Sequence, residues 1–353
     1  MAGTGARSGP LTILSVAYPF APVSADPVGG AEQVLARIDR ALVTAGHRSI
    51  VVAPDGSTVA GELRPVSAAG EEIDAVVRER IHEQVRARLR QAIADDRPDV
   101  VHLHGIDFAC YLPPPGPPIV ATLHLPLDWY EAAALAPSRP DTWLHPVSAS
   151  QARAAPAGAV LQPPIENGVD LSAVRARKRG FALMLGRICP EKGIDDAIEA
   201  TRRAGVPLLI AGVSFPYREH QRYLRECIAP QLDRAHRWIG AVSGERKKRL
   251  LAQARCVLVP SKARETSSLV AMEAIAAGTP VVAYRSGALP EIVEHGRTGF
   301  IVDGIDAMAA AIAEVDRIDA DVCREQARKR FALERMTSAY LNRYRELAAG
   351  ARS

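Results

Sequence analysis

Short, nearly continuous apolar runs alternate along this chain with longer segments whose apolar residues recur every three or four positions. In the N-terminal half the runs are 11–16, 49–53, 100–103, 119–123 and 143–147. They are rich in β-branched residues and bounded by turn formers, so they predict strands buried on both faces, as in a parallel sheet. Segments 32–45 and 71–94 predict helices, the first stopped by Gly46 and the second ending before Pro98. The C-terminal half repeats the alternation. Strands are predicted at 181–185, 208–211, 238–239, 256–259, 281–284 and 300–302, and helices at 195–204, 219–229, 245–254, 269–277 and 305–313. Alternating β and α elements imply an α/β chain with two parallel-sheet domains and right-handed crossovers.

Length agrees with that count. At roughly 100–200 residues per domain, 353 residues make two domains. Pro163-Pro164 falls between the two βα series and marks a linker. The expected division is 1–162 for the N-terminal Rossmann-like domain, 163–178 for the linker, 179–332 for the second domain, and 333–353 for a last helix packing across the domains.

Composition narrows the class. Hydrophobic residues make up 48% of the chain, which excludes disorder, and the net charge of +4 suits an enzyme receiving anionic substrates without arguing for nucleic acid. The basic stretches 175–179 and 246–249 read as solvated faces and leave a peripheral contact with anionic lipid open. Five widely spaced cysteines with no CxxC point to free thiols in a reducing, cytoplasmic setting and not to a zinc site. The first ten residues lack the apolar core of a signal peptide, and no run approaches the length of a membrane span.

Candidate chemistry concentrates in 257–302. A strand ends at Pro260-Ser261, Glu265 and Glu273 stand eight positions apart, and a helix is predicted to begin at Ser268 or Leu269. The first amides of a helix lack internal partners and carry partial positive charge, so those of Ser268, Leu269 and Val270 form a site for a diphosphate. Glu265 would face the sugar, and Glu273, about one turn in, would accept from ribose hydroxyls. Alone, the two glutamates also fit a helix cap and a surface residue.

The pattern resembles the retaining GT-B glycosyltransferases called glycosyltransferase family 4. Their Glu-x7-Glu pair, small-residue helix and Gly-Thr-Pro-Val-Val strand are matched by Glu265, Glu273 and 278–282. A second match is Gly186-Arg187-Ile188-Cys189-Pro190-Glu191-Lys192-Gly193 after a strand. The resemblance implies that Arg187 and Lys192 clamp the donor diphosphate, which would make a metal unnecessary. Gly29 and Gly30, followed by Glu32, resemble the family's Gly-Gly-x-Glu turn that faces the donor, although a Gly-Gly pair alone also fits a plain turn. His124 matches the family's Thr-x-His, whose histidine approaches the donor sugar. Ser148-Ala149-Ser150 and Asn167-Gly168-Val169-Asp170 look like structural landmarks of the same family. The chain departs from it at Thr266-Ser267-Ser268, where an aromatic residue and a glycine are usual, a change expected to spare the backbone amides and to alter the donor-sugar pocket, which leaves the sugar identity open.

The resemblance implies a GT-B fold of two Rossmann-like domains across a cleft, with the last helix crossing back to the N-terminal domain. It implies hexose transfer from a nucleotide-diphosphate sugar, most often UDP-linked, to a hydroxyl acceptor with retention of configuration. No cofactor beyond the donor and no metal are expected. A nucleotide-sugar 2-epimerase and a catalytically silent nucleotide-sugar-binding protein of the same fold are the alternatives. Acceptor recognition is expected on the loops 19–28, 106–118 and 125–140, where Trp129 and Tyr130 would stack on a ring or simply pack. The acceptor and the oligomeric state are not written in the motifs.

Overall fold

A computed structural model describes residues 9–24, 27, 29–68, 73–171 and 174–350. Residues 1–8 of the terminal stretch read for a leader, positions 26 and 28 before the glycine pair, and the first two residues of the predicted 71–94 helix lie outside them. Contacts divide the chain into two compact units, residues 1–166 with 334–353, and residues 167–333.

The first unit is a six-stranded parallel sheet of β1 (Thr12–Val16), β2 (Arg48–Pro54), β3 (Glu62–Val66), β4 (Val100–Leu103), β5 (Ile119–Leu123) and β6 (Thr142–Pro146). The second is a six-stranded parallel sheet of β7 (Ala182–Leu185), β8 (Leu208–Ala211), β9 (His236–Trp238), β10 (Cys256–Val259), β11 (Val281–Tyr284) and β12 (Gly299–Val302). The strand orders are β3-β2-β1-β4-β5-β6 and β12-β11-β10-β7-β8-β9. Counted within each unit, both run 3-2-1-4-5-6, the doubly wound order whose direction reverses between strands 1 and 4. The buried apolar residues of β1, β2 and β4, among them Leu14, Val16, Ile50, Val52, Val101 and Leu103, centre one core. Ala182, Met184, Leu208, Ile210 and Leu258 centre the other.

Several elements differ from the sequence expectation. β3 was not foreseen: it is a half-exposed edge strand with Pro65 inside it, a position that an edge tolerates. The Ala75–Asp96 helix starts later than its pattern suggests, because the Asp74 carboxylate accepts from the Val77 amide and caps it there. The expected 219–229 helix is broken. A short helix, Arg218–Tyr223, runs into a π-turn at Leu224–Ile228. The Ala320–Arg330 helix was also unforeseen, since it buries only Cys323, Gln326 and Ala327.

The last helix, Leu333–Gly350, buries Met336, Tyr340, Tyr344 and Leu347, and from Glu334 onward it belongs to the first unit. Its two tyrosines enter the sheet's polar interior. The Tyr344 hydroxyl lies 2.6 Å from His102 Nδ1, and the Tyr340 hydroxyl 2.8 Å from Thr122 Oγ1. The Asn167-Gly168-Val169-Asp170 landmark is structural: the Val169 amide donates to the Phe331 carbonyl and the Leu333 amide to the Val169 carbonyl. No described helix is long and apolar enough to cross a membrane.

Candidate functional site

In an open α/β sheet, ligands bind beyond the carboxyl ends of the strands where the order reverses. In the second unit that point lies between β7 and β10. The chain leaves β7 into Gly186-Arg187 and leaves β10 into Pro260-Ser261, so the two motif loops begin side by side.

Local geometry locks these loops together. Gly193 sits at φ +64°, and a Cβ there would stand 2.2 Å from the Pro260 carbonyl oxygen, so only glycine admits the approach. The Lys262 amide donates to the Glu191 carbonyl at 2.8 Å. Lys262 Nζ also lies 3.0 Å from an Asp195 oxygen and 2.9 Å from one of Asp196. Gly287, at φ +53°, does the same on the other flank: its Cβ would fall 2.0 Å from the Glu265 carbonyl oxygen, which accepts from the Ala288 amide.

Within this frame Lys192 and Glu265 meet. Lys192 Nζ is 2.6 Å from Glu265 Oε1, an oxygen that also accepts from the Ser261 hydroxyl. Glu265 is mostly buried and Lys192 partly so, which protects the pair from the screening that weakens surface ion pairs. Glu265 does not cap the following helix. Ser268 does, with its hydroxyl accepting from the Ala271 amide, and the helix proper is Leu269–Ala276. Among the described residues, the amides of Ser268, Leu269 and Val270 donate no hydrogen bond within this unit. Arg187 lies half-buried on the loop after β7, close enough to Glu191 and His220 to bias their titration, and no described carboxylate pairs with it. Two basic side chains and a row of polarised amides therefore belong to one strand-end region of this unit.

Glu273 sits within the Leu269–Ala276 helix, and its carboxylate lies 2.8 Å from Lys247 Nζ on the Gly244–Gln253 helix. Sequence reasoning missed Lys247, because nothing in the spacing of two separate helices announces the pair. The Gly-Thr-Pro turn before β11 is structural, with the Thr279 hydroxyl donating to the Leu251 carbonyl at 2.6 Å.

In the first unit the reversal lies between β1 and β4. Beyond β1 the chain reaches Gly29, which caps the Gly30–Thr44 helix without a side chain. A Cβ on Gly29 would stand 1.8 Å from Glu32 Oε2, so the closeness that this glycine permits is used by the unit's own carboxylate at the positive helix end. His104 follows β4 and His124 follows β5. Nδ1 of His104 and Nε2 of His124 are 3.0 Å apart, and the rings of His102 and His104 have centroids 3.9 Å apart. His102 Nε2 lies 2.7 Å from Thr122 Oγ1. Burial pushes His124 down to about 3 and His145 down to about 4, so both are neutral at pH 7, and His102 and His104 are lowered for the same reason. Of the aromatic pair, Tyr130 is buried in the core while Trp129 is exposed.

Two family profiles match this chain: Glycosyltransferase Family 4 over residues 28–157 and Glycosyl transferases group 1 over residues 172–330. The glycogen synthase of Mycobacterium tuberculosis is 28% identical over 94% of this chain and 91% of its own length. The D-inositol 3-phosphate glycosyltransferase of Saccharomonospora viridis is 33% identical over 53% of this chain and 51% of its own. Among solved structures, AviGT4, a glycosyltransferase involved in avilamycin A biosynthesis, is 26% identical with a TM-score of 0.70, covering 97% of this chain and 99% of that one. Anabaena HepE, solved with UDP-glucose, shares the fold at 17% identity and a TM-score of 0.73, over 94% of this chain and 99% of its own. With one profile on each unit, a relative aligned along nearly all of its length and the strand order common to both sheets, the chain belongs to the GT-B glycosyltransferases of family 4.

Proposed function

We propose that this glycosyltransferase moves a hexose from a UDP-linked donor to a hydroxyl acceptor, with retention of configuration and without a metal. The supporting observation is the β7/β10 strand end. There, Arg187, Lys192 and the amides of Ser268, Leu269 and Val270 offer positive potential to a diphosphate, and Glu265 holds Lys192 in place.

In the step proposed, the acceptor oxygen bonds to the anomeric carbon as the bond from that carbon to the diphosphate oxygen breaks. The acceptor's proton passes to the departing phosphate, on whose side the acceptor approaches. Charge develops on the nucleoside diphosphate, and preorganised donors stabilise such charge without reorganising. Glu265 positions the sugar, and Glu273, with Lys247, holds the ribose. His124 acts as a neutral imidazole, since burial keeps it unprotonated. Five free cysteines favour a reducing, cytoplasmic setting.

The test is a screen of nucleotide sugars for a rise in melting temperature, followed by transfer assays in EDTA with the best donor. Stabilisation by UDP-sugars and transfer in EDTA are expected. An absolute need for manganese would overturn the metal-free reading. Conversion of the donor to another nucleotide sugar without an acceptor would mark an epimerase.

A further inference from the structure

The proposed donor loop and the short Arg218–Tyr223 helix bring together a group of side chains that the reaction does not use. Cys189 is fully buried, His220 is 8% exposed and Glu191 is half-buried. One donor atom from each, Sγ, an imidazole nitrogen and a carboxylate oxygen, falls within 4.8 Å of the other two. Two of the polar atoms here are buried without a hydrogen-bond partner, Nδ1 of His220 and Oε2 of Glu191. Buried polar atoms are nearly always satisfied, and an imidazole nitrogen beside a thiol and a carboxylate is a donor set that a divalent metal can take.

We propose that Cys189, Glu191 and His220 bind a zinc-class divalent cation. Thiolate, imidazole and carboxylate together suit zinc and the borderline metals near it, and disfavour magnesium or calcium, which take oxygen donors. Bonds of about 2.0–2.3 Å in a tetrahedral site put donor atoms about 3.5 Å apart, so the three need close by no more than about an ångström. Cys189 and Glu191 flank Pro190 on the loop that carries Lys192, while His220 arrives on the short Arg218–Tyr223 helix. Binding releases the Cys189 thiol proton to solvent. The fourth position is left to water or another small ligand. Arg187 and Lys192 face the same loop, and their positive charge lowers affinity for the cation while favouring the thiolate. The site takes no part in the transfer step proposed above and does not depend on that reading.

The test needs no donor sugar. The full chain, stripped with EDTA and then dialysed free of chelator, is titrated with cobalt(II) chloride and then zinc sulfate. One equivalent of cobalt should give a thiolate-to-metal charge-transfer band that zinc abolishes, and zinc should raise the melting temperature. Cys189→Ser should remove the band. His220→Ala and Glu191→Gln should each weaken binding by more than the roughly 10–100-fold that outer-shell changes cost. Glu191→Gln keeps the packing of its half-buried side chain, so it serves if the two buried positions do not tolerate change. No cobalt band in the native chain, or a band that survives Cys189→Ser or Glu191→Gln undiminished, overturns the proposal.

Discussion

Beyond β4 and β5, the first unit gathers imidazoles, a threonine and two tyrosine hydroxyls into a neutral buried network. Beyond β7 and β10, the second unit sets lysines against carboxylates, Lys192 on Glu265 and Lys262 on Asp195 and Asp196, with Lys247 on Glu273 nearby. The strand order is the same in both, so the sheet does not choose the chemistry. The residues that follow the strands do. Imidazoles kept neutral by burial can accept or donate a hydrogen bond but carry no net charge, whereas lysines beside polarised amides carry positive charge suited to phosphate. In the reading proposed above, one scaffold used twice divides recognition of uncharged groups from recognition of charge.

Changing the charged region should have the largest effect. Lys192→Ala and Glu265→Gln should each lower kcat/KM by about 10²–10³-fold, as removal of a single preorganised donor does elsewhere. His124→Ala should lower turnover while leaving donor affinity nearly intact, whereas Lys192→Ala should lower both. Equal losses of affinity in the two variants, read by donor titration, would erase the distinction between the units.

Acid should separate the units next. A histidine whose pKa is depressed in the folded state stabilises the protein fully above its unfolded value of about 6.5 and loses that contribution as pH falls. For His145 the loss should run from there down to about 4, and for His124 to about 3. Melting temperature should therefore drop steadily below pH 6.5, and His102→Gln or His145→Gln should flatten the drop. A melting temperature independent of pH down to 4 would contradict the neutral network.

The smallest effect expected comes from one hydroxyl. Tyr344→Phe leaves His102 Nδ1 without its partner, at a cost of about 1–3 kcal/mol read by denaturant unfolding. Its donor affinity should be unchanged, because Tyr344 belongs to the neutral network.

How much of this could be read beforehand follows from what each feature depends on. The strands β4, β5 and β10 are buried at every position and show as apolar runs interrupted only by His102 and Thr122. β3 does not, because an edge strand with Glu62, Arg64 and Pro65 carries no apolar period. The Ala320–Arg330 helix was hidden for a similar reason, its apolar stripe being too narrow to stand out among its charges. At the site, Arg187, Lys192, Glu265 and Glu273 were legible as motif positions. Their partners depended on the tertiary fold. Lys247 is 26 residues from Glu273, and Tyr344 is 242 from His102. Cys189 and His220 sit 31 positions apart, wider than the short Cys and His spacings that mark a metal site in sequence.

On the function proposed, a nucleoside diphosphate binds at the β7/β10 strand end through Arg187, Lys192 and the amides from Ser268 to Val270. Calorimetric titration of the intact chain with UDP in EDTA, repeated for Arg187→Ala and Lys192→Ala, tests it directly. Binding in EDTA that each substitution weakens at least tenfold is the predicted result. Native affinity in both variants, or no binding until a divalent metal is added, would contradict it.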